Sequence, residues 1–152
     1  MRALALALAL LPCAAHAQAL APYRIEGGEI RSSLTGKPGD PARGRAIVAE
    51  RQKGLCLLCH TAPIAEERFQ GDLAPTLAGV GARMTEGEIR LRMVDGTKVN
   101  PQTIMPAYYR LEELTRVAPA FRGKPLLTAP ELEDVVAYLL TLKDGGAPGR
   151  MK

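Results

Sequence analysis

Two of the three cysteines and one of the two histidines in this chain lie within five consecutive residues. The segment reads Cys56-Leu57-Leu58-Cys59-His60, the Cys-x-x-Cys-His pattern. Two thiols at this spacing can each bond one vinyl group of a porphyrin, while the adjoining imidazole reaches the iron. The motif therefore predicts one covalent haem c that is attached through Cys56 and Cys59 and ligated by His60.

A Cys-x-x-Cys pair also occurs in zinc sites, thioredoxin-like redox sites and structural disulfides. Zinc needs about four protein ligands, or three and a water, but outside the motif the chain has only Cys13 and His16. A redox pair normally opens a helix after a buried strand, whereas residues 47–52 read as helix. In an exported protein the pair could also be oxidised to a disulfide. The pattern favours haem, with the redox and disulfide interpretations as alternatives.

The first 17 residues have the pattern of an export signal. Met1-Arg2 is a short basic start, residues 3–11 are an apolar run, and Ala15-His16-Ala17 is a small-x-small cleavage site. A membrane anchor is the weaker alternative, because the run is well short of the roughly 20 residues that span a bilayer. We expect residues 1–17 to be a signal peptide cut before Gln18, and the mature chain to be periplasmic and not membrane-spanning.

Charge and composition argue against a nucleic-acid-binding function. Loss of Arg2 with the signal lowers the basic count from 20 to 19 against 16 acidic residues, so the net charge falls from +4 to +3. The sequence has no basic stripe with interleaved aromatic residues. Aromatic residues make up only 4% of the chain and Trp is absent. A buried haem would supply the apolar surface that aromatic side chains usually provide in a core.

Residues 18–39 are predicted to form an extended N-terminal arm. Three interruptions break any regular period: Gly27-Gly28, Ser32-Ser33 and Lys37-Pro38-Gly39. Residues 23–25 and 29–30 could pair as a short hairpin across the two glycines. Because the segment reads as too polar and broken to form a core of its own, our hypothesis is that it wraps a partner.

Three helices are predicted in a domain at residues 40–145, followed by a flexible tail at 146–152. Each helix begins at a recognisable cap: Asp40 with Pro41, Thr85 with Glu88, and Thr128 with Glu131. The first continues toward Arg51, the second closes at Gly96, and the third carries apolar residues at helical spacing as far as Leu142. Met84 and Ile89 are placed to form a hydrophobic staple at the second helix.

Residues 97–127 are predicted to form a long ordered loop with at most short helical turns. Four prolines interrupt it: Pro101, Pro106, Pro119 and Pro125. A loop this long in a compact domain is usually functional. Five basic residues on it form a hypothetical ring that steers a partner to the haem edge, with an ordinary solvated face as the alternative: Lys98, Arg110, Arg116, Arg122 and Lys124.

The same loop offers a sixth ligand for the iron. Met105 is flanked by Pro101 and Pro106, which stiffen the backbone around its thioether. Apart from Met1, the other methionines have simpler roles. Met84 belongs to a helix staple, Met93 lies on an apolar helix face, and Met151 lies in the tail. His60/Met105 ligation suits electron transfer and leaves no open position for oxygen or peroxide, which argues against a haem enzyme or gas sensor. The alternative is that Met105 only fills the core.

From Asp40 to Leu142 the pattern resembles a class I cytochrome c. The resemblance implies a mainly α fold with helices packed around one covalent haem. It also implies that Gly44 lets the last helix cross closely at Tyr138, and that Pro75 offers its carbonyl to His60. Residues 79–83 look like a glycine turn of the same family.

A narrower resemblance is to SoxX, the small haem subunit of the SoxAX complex, at residues 33–44, 100–109 and 123–128. It implies a role in thiosulfate oxidation, in which SoxAX, an L-cysteine S-thiosulfotransferase, joins thiosulfate to a cysteine of the SoxYZ carrier. SoxX binds the SoxA haem subunit, accepts electrons and passes them to a small cytochrome c downstream. The chain alone would transfer electrons and hold no catalytic residue. The alternative is a free periplasmic shuttle, which would need neither the arm nor the long loop.

Overall fold

The computed structural model describes residues 20–144, so the predicted signal peptide and the predicted tail lie outside the described residues. Within them the chain is mainly helical, and its one β-bridge joins Glu26 to Glu29. The prediction of a mainly α fold with an extended N-terminal arm is therefore confirmed. None of the helices found between residues 20 and 144 is both long enough and apolar enough to cross a membrane.

Four α-helices form the framework: α1 (Pro41–Ala49), α2 (Val80–Arg83), α3 (Glu86–Asp95) and α4 (Ala129–Thr141). The predicted caps are present. The Asp40 carboxylate accepts from the backbone N–H groups of Ala42 and Arg43 at 2.8 and 3.1 Å, and Thr85 forms a capping box with Glu88. The first helix ends at Ala49, where the chain turns toward the cysteine motif, rather than at Arg51.

Helix α2 occupies the segment predicted as a glycine turn. Gly79 adopts a left-handed conformation with φ 71°, which reverses the chain before Val80. Gly81 packs against α4 so closely that a Cβ there would lie 2.4 Å from the Leu140 carbonyl oxygen. Contact with α4 therefore stabilises a helix that local propensity does not favour.

The close approach of α1 and α4 agrees with the family resemblance. A Cβ on Gly44 would lie 1.9 Å from the backbone oxygen of Asp134 and 2.9 Å from Cβ of Tyr138. Glycine lets the two backbones meet, and Val48, Val135 and other apolar residues of both helices are buried around the crossing. This crossing supports the wall behind the cysteine motif.

The arm packs on its own domain. Ile30 is 1% exposed and Leu34 is 9% exposed, and the Ile30 N–H donates to the Gly87 carbonyl at 3.0 Å. The arm therefore adds apolar residues to the core of the domain and forms no core of its own, and the hypothesis that it wraps a partner stays a prediction. The predicted hairpin is reduced to the single bridge at Glu26 and Glu29, around the two glycines.

The long loop is ordered by two buried tyrosines. The N–H groups of Tyr108 and Tyr109 donate to the Met93 and Val94 carbonyls at 3.0 and 3.2 Å. As predicted, its only helical turns are short 3-10 segments, at Gly96–Lys98 and Pro119–Phe121. The loop thereby runs along α3 and places Met105 at the cavity described below.

Candidate haem-binding site

The cysteine motif folds as one 3-10 turn, Cys56–Leu58. Leu55 begins it in a left-handed conformation with φ 59°. The Cys59 and His60 N–H groups both donate to the Cys56 carbonyl, at 3.1 and 2.9 Å. This tight turn places both cysteines and the histidine in the wall of one cavity.

The cavity has a volume of about 300 Å³ and a largely apolar wall. Cys56, Cys59, His60 and Met105 all lie in its wall. Apolar residues from four parts of the chain complete the wall, among them Leu77, Val80, Ile89, Tyr108 and Leu139. Two thiols, an imidazole and a thioether around an apolar space form a donor set that fits a covalently attached haem.

His60 is oriented by a backbone carbonyl. Its Nδ1 lies 2.6 Å from the Pro75 oxygen. A carbonyl oxygen can only accept, so Nδ1 carries the proton and the lone pair of Nε2 is available for a metal. The Pro75 contact that the family resemblance implies is present in this geometry.

The two cysteines are free thiols, and Cys56 is buried while Cys59 is half-buried. Burial raises the pKa of the Cys56 thiol to about 11, whereas redox-active cysteines have a lowered pKa. Within residues 20–144 no group of three or more His, Cys, Asp or Glu side chains could hold a metal ion. The raised pKa of Cys56 favours a thiol used for attachment over a redox-active one.

Three methionines line the cavity: Met84, Met93 and Met105. Met93 is 3% exposed and belongs to the core as predicted, and Met84 and Met105 are half-buried beside it. The backbone N–H of Met105 donates to the Thr103 hydroxyl at 3.2 Å, which fixes the loop next to Pro106. Met105 as the second iron ligand stays a prediction.

The predicted basic ring does not surround this cavity. Arg110 forms an ion pair of 2.9 Å with Asp95, which is 1% exposed. Burial opposes ionisation of Asp95, but hydrogen bonds from Thr97 and Arg110 hold its pKa below the usual range. Three other members line a separate cavity of about 360 Å³: Arg116, Arg122 and Lys124. Lys98 is exposed on a 3-10 turn.

Two different cations line the candidate haem cavity, Arg83 and Arg92. Neither arginine was predicted from the sequence to lie at the site. Arg92 lies three residues after Ile89 and next to Met93, so helical spacing alone could have placed it on the cavity face of α3. Arg83 carried no such signal, because α2 was predicted as a turn.

Exposed apolar side chains lie in the motif, in the segment beside it and at the cavity. Phe69 and Leu73 are 85% and 73% exposed, and Leu58 and Ile104 are also exposed. The segment at residues 69–74 is held beside the motif because Gly71 and Ala74 donate to the carbonyls of residues 57 and 59, both at 2.9 Å. We call Leu58, Phe69, Leu73 and Ile104 the apolar rim.

The fold was compared with known proteins. A chain in the crystal structure of SoxXA from P. pantotrophus aligns with a TM-score of 0.74 and 35% sequence identity, covering 80% of this chain and 95% of that chain. The c-type cytochrome SorU from Sinorhizobium meliloti aligns with a TM-score of 0.44 and 25% identity, covering 68% of this chain and 90% of that chain. No protein-family model and no curated protein matches. From its identity to SoxXA over nearly the whole of the matched chain, the protein belongs to the SoxX family of c-type cytochromes of sulfur oxidation.

Proposed function

We propose that this chain is the electron-accepting SoxX subunit of a periplasmic SoxAX complex. Joining thiosulfate to the thiol of a carrier cysteine forms an S–S bond and releases one proton and two electrons. The SoxA subunit and the SoxYZ carrier would perform that step, and this chain would receive the electrons and pass them to a small cytochrome c. The cavity that gathers Cys56, Cys59, His60 and Met105 is the observation that carries the proposal.

The residues of the cavity divide into holding and ligating roles. Cys56 and Cys59 would hold haem c through thioether bonds, and His60 and Met105 would ligate its iron. A bound haem c supplies a one-electron Fe(II)/Fe(III) couple. The protein's part is to exclude water with the apolar wall and to keep the His60 imidazole in one tautomer through Pro75.

The inventory of reactive groups supports electron transfer rather than bond-forming chemistry in this chain. Within residues 20–144 both cysteines and the histidine belong to the haem motif. Once the thiols are bonded and His60 is ligated, the described part of the chain has no thiol nucleophile and no imidazole base. The sulfur chemistry therefore belongs to the partner subunits.

The apolar rim supports a stably bound partner. Large exposed apolar side chains on a soluble protein can mark interaction sites, and the rim residues lie in the haem motif, in the segment hydrogen-bonded to it and at the cavity. We assign it to the SoxA subunit, because electron transfer between subunits needs the donor and acceptor to be close. A free shuttle would gain little from such a surface.

Replacing Phe69 and Leu73 together by serine should weaken binding to the coexpressed SoxA subunit at least tenfold. Burying one such side chain contributes about 1.5–3 kcal/mol, and about 1.4 kcal/mol corresponds to tenfold in affinity. Binding is measured by copurification and titration of the purified subunits. The control is Val99→Ser with Phe121→Ser, which likewise removes one aliphatic and one aromatic side chain, at 42% and 39% exposure, from outside both the rim and the arm. Equal losses of affinity in both double variants would show that the rim is not part of the interface.

Replacing Met105 with alanine should abolish the weak far-red charge-transfer band that reports an iron–methionine bond. The variant keeps both cysteines and His60, so the haem should remain covalently attached. Met84→Ala is the matched control, because Met84 lines the same cavity and should leave the band unchanged. Loss of the band in Met84→Ala alone would assign the ligand to Met84.

The proposed function is tested with the coexpressed complex. We expect the haem of this chain to be reduced when thiosulfate and the carrier are both present, and to stay oxidised with either alone. A holoprotein that purifies without a second haem subunit and does not respond to thiosulfate would contradict the proposal and favour a free shuttle.

A further inference from the structure

Tyr108 links the long loop at residues 97–127 to the haem motif. Its hydroxyl donates to the Gly54 carbonyl at 2.6 Å, and Gly54 lies two residues before Cys56. In the described part of the chain, no other residue of the loop hydrogen-bonds to residues 50–60. Tyr108 is 2% exposed and also lines the haem cavity. This one side chain therefore ties the loop to the segment that carries the haem-binding cysteines.

The backbone of Tyr108 is fixed on two further sides. Its N–H donates to the Met93 carbonyl at 3.0 Å, and its carbonyl accepts from the Leu127 N–H at 3.2 Å. The first bond joins it to α3, and the second joins it to the residue that precedes the cap of α4. Tyr108 is thus a fixed point that connects α3, the start of α4 and the haem motif.

The stretch between Thr103 and Tyr108 has little support of its own. Within residues 104–107 the Met105 N–H donates to the Thr103 hydroxyl at 3.2 Å, and the described structure shows no other hydrogen bond there. Pro106 has no N–H to donate. The position of Met105 consequently depends on the residues that anchor this stretch at its two ends.

The Gly54 carbonyl depends on Tyr108 once a haem is attached. Two donors reach this carbonyl in the described structure, the Tyr108 hydroxyl at 2.6 Å and Cys56 Sγ at 3.2 Å. A thioether sulfur carries no proton, so attachment through Cys56 removes the second donor. Burial raises the pKa of the Tyr108 phenol, so its hydroxyl keeps donating at neutral pH. Without that hydroxyl, a buried carbonyl would have no partner, which destabilises this arrangement.

We propose that Tyr108 is a positioning residue for Met105. By holding the long loop against the haem motif, its hydroxyl keeps the methionine at the iron and limits the entry of external ligands in its place. This inference rests on the Met105 part of the proposed function. A subunit that only transfers electrons needs both axial positions filled, because an open position admits oxygen or peroxide. The bond to Gly54 supplies part of that closure.

Tyr109 provides the matched control. It is 4% exposed and follows Tyr108 directly, but its hydroxyl accepts from the Ala21 N–H of the arm at 2.8 Å. It does not line the haem cavity of the described structure. Phenylalanine at either position keeps the ring and removes one hydroxyl. One variant therefore loses a bond to the haem motif, and the other loses a bond to the arm.

The test is displacement of the methionine ligand by imidazole in the isolated, oxidised holoprotein, followed as loss of the far-red charge-transfer band. At saturating imidazole, the rate of this loss reports how often the methionine leaves the iron. Tyr108→Phe should raise the rate and the affinity for imidazole roughly tenfold, as expected for the loss of one buried hydrogen bond. Tyr109→Phe should leave both at the wild-type value. Urea unfolding of both variants separates a general loss of stability from an effect at Met105.

A Tyr108→Phe protein that exchanges its ligand at the wild-type rate would overturn the proposal. Equal increases in the two variants would overturn it as well, because the bond to the haem motif would then have no special role. These results are distinct from failure of the proposed function. If Met105 were not the ligand, the wild type would lack the band, or the band would survive in Met105→Ala. If only the SoxA partnership were wrong, the isolated variants would still differ as stated.

Discussion

Replacing Arg90 with methionine should lower the free energy of unfolding of the holoprotein by about 3–5 kcal/mol, because it leaves a buried carboxylate without its counterion. Arg90 is 0% exposed and Glu133 is 2% exposed. The guanidinium binds this carboxylate with both Nε and Nη2, at 2.8 and 2.9 Å. Methionine fills much of the same volume, so the expected loss comes from the unpaired charge rather than from a cavity.

The same ion pair holds the arm. Arg90 Nη1 donates to the Ile30 carbonyl at 2.8 Å, and the Leu34 N–H donates to Glu133 Oε1 at 2.9 Å. The variant should therefore also loosen the arm, and trypsin should cut after Arg31 faster than in the wild type. Urea unfolding followed by far-UV circular dichroism measures the stability.

Two further variants separate the buried charge from general effects of substitution. Arg90→Met with Glu133→Leu leaves no buried charge and should recover part of the stability, although the Leu34 N–H and the Ile30 carbonyl still lose a partner. Arg45→Met breaks an exposed ion pair with Glu66 and should have little effect. Equally small losses in Arg90→Met and Arg45→Met would contradict the assigned role of the buried pair.

The parts of the fold that the sequence predicts well are those that depend on neighbouring residues. Asp40, Thr85 and Thr128 each precede a helix and cap it through groups within three positions. Such hydrogen bonds can be predicted from the sequence, because the geometry of a helix fixes how many positions separate the cap from its partner. The cysteine motif is a local signal of the same kind.

Long-range electrostatics could not be predicted in this way. Arg90 and Glu133 are 43 positions apart, and each reads as an ordinary surface charge on its own helix. Arg110 was expected at the surface for the same reason, whereas it pairs with buried Asp95. Charged side chains are normally exposed to solvent. Only the packing of the helices shows which of them are buried as ion pairs.

The packing of two segments depends on contacts with distant parts of the chain, and the sequence pattern did not predict it. Isolated apolar residues in a Gly- and Ser-rich stretch predict no core, yet Ile30 and Leu34 are buried against α3 and α4. The glycines around α2 likewise predict a turn, but Gly81 is what allows that helix to contact α4. Because α2 was missed, Arg83 was missed as a residue of the haem site.

Replacing both Cys56 and Cys59 with alanine should abolish covalent haem, so that haem staining on a denaturing gel falls to background. The thioether bonds are the only link that survives denaturation, since ligation by His60 is lost when the chain unfolds. Each single variant should keep one bond and stain at reduced intensity. The proteins are made in a host with c-type maturation machinery and compared at equal protein load.

The double variant should also fail to accumulate as a folded protein. An apolar space costs about 24 cal/mol per Å³ when it is left unfilled, so a cavity of about 300 Å³ corresponds to at most on the order of 7 kcal/mol. Because a domain is stable by only about 5–15 kcal/mol, loss of the haem removes much of that margin. Far-UV circular dichroism of any recovered protein should show a lower melting temperature.

Cys13→Ala is the matched control for the cysteine variants. Cys13 is the third cysteine of the chain and lies in the predicted signal peptide, so its replacement should leave haem staining, spectrum and melting temperature unchanged. Staining that persists in the Cys56→Ala, Cys59→Ala protein would place the attachment elsewhere. Staining that falls in Cys13→Ala would show that maturation of the protein depends on this cysteine.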